Sequence, residues 1–83
     1  MVTAEEIRSY AISQYVSSAR QRGEKTVTLT VRAIHDDLSL DSRFPAVCGA
    51  IDAQKFVEAA DVVLVSREGP HQSSTAVWHF RLS

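Results

Sequence analysis

Among the side chains able to do chemistry, the hydrogen-bond donors cluster and the catalytic types do not. Arg67, His71, Gln72, Ser73, Ser74 and Thr75 crowd around Gly69-Pro70. Ser42, Arg43, Gln54 and Lys55 bracket a run of small and apolar residues, and Arg32 stands a short way upstream. Guanidinium, ammonium, amide, imidazole and hydroxyl groups in this mixture suit the holding of phosphate oxygens. That chemistry positions a ligand without reading its sequence. Each group also has a plainer role. A polar hairpin tip is solvated, and Arg32 can pair with Asp36 four positions on, worth a few tenths of a kcal/mol. Arg20, Arg22 and Lys25 around Gly23 fit the basic end of a helix and the loop beyond it.

Catalytic and metal-binding patterns are missing. His35, His71, His79 and Cys48 share no ligand spacing, so no metal is expected. Asp36 and Asp37 are adjacent, about 100° apart on a helix, and do not form a working carboxylate pair. There is no glycine-rich phosphate loop and no nucleophile motif. A non-enzyme without cofactors is the expectation. The single cysteine, Cys48, cannot form an internal disulfide and fits a small buried hydrophobe.

Eighty-three residues make one domain with a modest core. Nine Lys and Arg against ten Asp and Glu give a net charge of −1. A nucleic-acid binder usually carries a basic face, so any such face here must come from uneven placement. No apolar run approaches the roughly 18 residues of a membrane span. The acidic, amphipathic start, MVTAEEIRSY, does not resemble a signal peptide. An intracellular, cytoplasmic protein with no membrane partner is expected.

The elements that must position the donors follow from period and punctuation. Thr3 with Glu6 forms a capping box opening a helix over residues 3–22, with Ile7, Ala11, Tyr15, Val16 and Ala19 inward and Gly23 as its stop. Residues 26–30 alternate as a short β-branched strand. Thr30 caps a helix over 31–39 whose stripe is Val31, Ile34 and Leu38. Ser39 to Arg43 is a turn, with Leu40 available to plug the gap beneath it. Pro45 suits the first turn of the next helix, over 43–54. Val47, Cys48 and Ile51 face inward there, and Ala46, Gly49 and Ala53 outward, with Ala50 and Asp52 at the edges. Strands at 61–67 and 76–82 flank the polar loop 68–75 as a hairpin, with Trp78, Phe80 and Leu82 on the buried face.

Helix, strand, helix, helix, strand, loop, strand: this order resembles the winged helix-turn-helix family over nearly the whole chain, from Thr3 to Leu82. The resemblance implies an α+β fold, with a three-helix core against a small three-stranded antiparallel sheet. It implies that helix 43–54 is a recognition helix and loop 68–75 a wing. By the same likeness the partner is double-stranded DNA and the role transcription regulation or accessory work in DNA processing. Ser42, Arg43, Ala46, Gly49, Gln54 and Lys55 would meet DNA from the helix and turn. Arg32, Arg67, His71, Gln72, Ser73 and Ser74 would meet the backbone. The outward Ala46/Gly49/Ala53 face also suits close packing on a protein. The alternative is therefore a winged-helix interaction module, with a homodimer or another protein as partner.

Overall fold

The computed structural model describes residues 3–69 and 75–82. The expected contacts His71, Gln72, Ser73 and Ser74 lie outside them. The chain begins with a continuous helix, α1, over residues 4–21. Thr3 caps it as a full capping box: the Thr3 Oγ1 accepts from the Glu6 N–H at 3.2 Å, and Glu6 Oε1 accepts from the Thr3 N–H at 3.3 Å. Midway, Ile12–Val16 takes one π-helical turn between α-helical Ala4–Ala11 and Ser17–Gln21. The apolar spacing accounts for it. Ile7, Ala11, Val16 and Ala19 are all buried, and the five-residue interval from Ala11 to Val16 overshoots an α-helical face. The wider turn absorbs the extra residue. At the other end Gly23 takes φ +73°. Its N–H bonds the Arg20 carbonyl while the Glu24 N–H bonds that of Ala19, the double closure of a Schellman motif.

The π turn also brings Tyr15 to α2, the helix Val31–Asp37, where its hydroxyl donates to the Asp37 carboxylate. Burial first, then that carboxylate, hold the Tyr15 proton well above the usual phenol range. A proton held more tightly in the folded chain stabilises the fold fully below the unfolded value of 10.0. This contribution is lost as pH climbs beyond it. Thermal melts above about pH 10 should therefore show declining stability, less steeply in Tyr15→Phe. An identical alkaline slope in both proteins would detach Tyr15 from the effect.

Strand β1, Thr26–Thr30, runs directly into α2, capped by Thr30 through the Ala33 N–H at 3.2 Å. Helix α3 spans Phe44–Asp52 and α4 Gln54–Ala60; strands β2, Val62–Glu68, and β3, Val77–Leu82, follow. The strands form one antiparallel sheet in the order β1-β3-β2, with Leu29 opposite Trp78 and Leu64 opposite Phe80. The sheet's inner face meets the helices in a single core. Trp78, Phe56, Phe80, Ile7, Leu29, Ile34 and Ile51 are its largest buried side chains, and the Phe56 and Phe80 rings sit 5.3 Å apart. The fold is α+β with a small three-stranded antiparallel sheet, as the alternation and helical periods predict. No helix among the described residues is long and apolar enough to cross a membrane.

One element departs from the expected plan. The helix anticipated over 43–54 ends at Asp52, and a separate helix, α4, follows after Ala53, whose ψ of 145° is extended. The break re-aims the chain so that Phe56 and Ala60 reach the core, which an unbroken helix would not allow along with Val47 and Ile51. Asp61, expected at the start of β2, instead closes α4 in a left-handed conformation with φ 57°. The Arg20 guanidinium reaches across from α1 to this end and donates to the Ala60 and Asp61 carbonyls, each at 2.7 Å. A cation on exposed terminal carbonyls steadies a short helix that lacks a side-chain cap at its start.

Candidate nucleic-acid interface

The surface that could meet a phosphate backbone is built from the turn between α2 and α3, and His35 builds the turn. His35 is buried, 5% exposed, and its ring stacks on Phe44 at 4.0 Å with a 12° interplanar angle. Its carbonyl accepts from the Leu40 N–H, and its Nε2 accepts from the Arg43 N–H at 3.1 Å. The ring proton is accordingly assigned to Nδ1, 3.7 Å from Asp36 Oδ1. Ser39 and Ser42 both take left-handed φ of 54° to fold the chain back beneath α3. By type His35 is one of three scattered histidines that share no ligand spacing. Its position is the signal that does: 31, 34, 35 and 38 together make the full inward stripe of a helix.

Helix α3 begins at this staple. Arg43 precedes it with no side-chain cap, and Pro45 lies in its first turn. Arg32, exposed on α2, has its guanidinium carbon 6.0 Å from the Phe44 ring centre. Arg32 and Arg43 thus flank the start of α3. Neither side chain has a carboxylate partner among the described residues. Ser42 lies exposed beside them.

The outward face of α3 is narrower than its wheel suggests. Val47, Cys48 and Ile51 are buried as expected, but Ala50 is buried too. Its carbonyl lies 3.5 Å from Arg8 Nη1 of α1, at the long limit of a hydrogen bond. Ala46 is half-buried against the core and Ala53 is half-buried at the break. The exposed stripe is Pro45, Gly49 and Asp52 instead. A Cβ at Gly49 would meet nothing within 4 Å, so the face is open as well as thin.

At the far end of that stripe Asp52 gathers the sheet. Arg67 Nε and Nη2 donate to its two carboxylate oxygens at 2.9 and 3.2 Å, and the Trp78 indole N–H donates to Oδ1 at 2.7 Å. The guanidinium lies over the Trp78 ring at 5.5 Å, and its Nη1 donates to the Gly69 carbonyl at 2.8 Å. Arg67, expected as an outward cation of the hairpin, is thus held against Asp52 with its side chain only 15% exposed. Gly69 beside it has φ +92°, and a Cβ there would fall 2.8 Å from the Thr75 carbonyl oxygen. Only glycine fits where the two arms come this close.

The remaining candidates disperse. The break at Ala53 carries Gln54 to a groove of about 340 Å³ beside Val57, Val62 and Leu64. Lys55 lines a different groove, with Glu5, Arg8 and Ser9 of α1. On the outer sheet face Thr28, His79 and Glu68 form a chain across all three strands: Thr28 Oγ1 to His79 Nδ1 at 3.1 Å and His79 Nε2 to Glu68 Oε2 at 2.7 Å. Strand β2, at one edge of the sheet, exposes Val63, Leu64 and Val65. Ser42, Arg43, Arg32 and Gly49 therefore come together around α3, Arg67 joins Asp52, and Gln54 and Lys55 stand apart. No protein-family model, curated protein or solved structure matches this chain.

Proposed function

We propose that the chain is a winged helix-turn-helix domain that binds double-stranded DNA, in the service of transcription regulation or DNA processing. The observation that carries this reading is the start of α3, where exposed Arg32 and Arg43 stand without carboxylate partners among the described residues, and where the Arg43 side chain makes no cap. Two cations at one point suit a phosphate. The element order and the sheet order β1-β3-β2 support the winged arrangement. In this reading α3 lies in the major groove, and its thin Pro45–Gly49 stripe lets the backbone come close. Arg32, Ser42 and Arg43 hold phosphates. The stripe offers no amide or guanidinium to a base edge, so recognition rests on groove shape more than on direct readout.

Titrating a random-sequence duplex into the isotopically labelled protein tests the reading. The expected amide shift changes fall at Arg32, Ser42, Arg43 and Gly49; an unaltered spectrum at low salt rejects it. The exposed Val63–Val65 edge favours a second reading, a domain that docks a protein through β2. This surface replaces the Ala46/Gly49/Ala53 face as the site of such an interaction, because Ala46 and Ala53 are half-buried.

A further inference from the structure

We infer that Asp52 is a built-in brake on DNA affinity, occupying Arg67 in the place a phosphate would take. The inference rests on the DNA-binding reading of α3 given above. A planar guanidinium offers the same two-pronged fork to a carboxylate and to a phosphate. Here the fork is already aimed: Trp78 lies beneath the guanidinium and the Gly69 carbonyl fixes its other nitrogen. The acceptor facing it is the chain's own Asp52, at 2.9 and 3.2 Å.

Asp52 stands on the exposed stripe of α3 with Pro45 and Gly49, so its charge lies on the surface that would approach the duplex. It acts twice against a phosphate: it repels the phosphate, and it withholds the guanidinium. The Asp52 and Arg67 side chains are 28% and 15% exposed, so water screens the pair only partly. The brake sets affinity low and makes binding depend on Arg32 and Arg43.

The test is Asp52→Asn, which keeps an acceptor for the Trp78 indole N–H and removes the charge. Fluorescence anisotropy with a random duplex at about 0.1 M salt should show affinity raised by roughly tenfold. The salt slope should steepen by about 0.9, the increment for one more phosphate neutralised. Adding Arg67→Gln to Asp52→Asn should remove most of the gain, because Arg67 is what the substitution releases. Near-UV circular dichroism checks the fold, and Asp52→Ser carries the same test if the asparagine variant is unfolded. Wild type that binds with a salt slope while the Asp52 variant binds no tighter overturns the brake and leaves the DNA reading standing. Binding gained only on substitution supports the brake. Absence of binding by both folded proteins overturns both.

Discussion

Phe80→Ala should destabilise the domain by about 3–5 kcal/mol, leaving a protein of this size largely unfolded or close to it at ordinary temperature. Phe80 is 1% exposed at the centre of β3, the strand that pairs with both β1 and β2. Its ring meets Phe56 of α4 at 5.3 Å, so truncation removes the packing that ties the helix after the break to the sheet. The space would adjoin the surface groove that Ile51, Val62 and Leu64 line with Phe80. Backbone pairing on both sides of β3 prevents that space from closing. A urea titration followed by Trp78 fluorescence measures the loss. A midpoint shift equivalent to less than about 1 kcal/mol would show that the site collapses around the smaller side chain and that the packing is looser than described.

Arg32→Glu combined with Arg43→Glu should weaken duplex binding on the order of a hundredfold at about 0.1 M salt and flatten the salt slope by about 0.9 for each phosphate no longer neutralised. Both side chains are exposed and lack carboxylate partners among the described residues. The fold should survive the change. The His35 ring accepts from the main-chain N–H of Arg43, not from its side chain, so the staple persists in the variant. The cost is the Arg32 interaction with the Phe44 ring, about 0.5–1 kcal/mol at an exposed site. Anisotropy and a thermal melt on the same sample separate the two effects. Unchanged affinity in the folded variant would remove the start of α3 from the interface.

What can be read from the sequence is what local chemistry decides. Thr3 and Thr30 cap helices because a short hydroxyl side chain reaches an N–H three residues on, wherever the helix lies. The alternation of 26–30 and of Trp78, Phe80 and Leu82 identifies the inner sheet face, because a pleated strand has only two sides. Other features depend on partners far along the chain. The break at Ala53 carries no glycine or proline, and 56, 57 and 60 are helically spaced among themselves, so only the change of phase after Ile51 marks a new direction. Asp52 and Arg67 are 15 positions apart, and only the fold brings a helix end to a strand. His35 is polar by type and buried by position, and position wins because Arg43 and Phe44 supply the ring with an N–H donor and a stacking face. The donors Ser42, Arg43 and Arg32 are legible as a group, since the turn gathers residues close in sequence. Gln54 and Lys55 are not, because the helix that would carry them ends before they begin.

The measurement that tests the central claim most directly is an anisotropy titration of a random-sequence duplex with the wild-type protein at two salt concentrations. The predicted result is binding at low salt that weakens steeply as salt rises, in proportion to the few phosphates that Arg32 and Arg43 reach. Absence of binding at low salt from a folded sample would contradict the account.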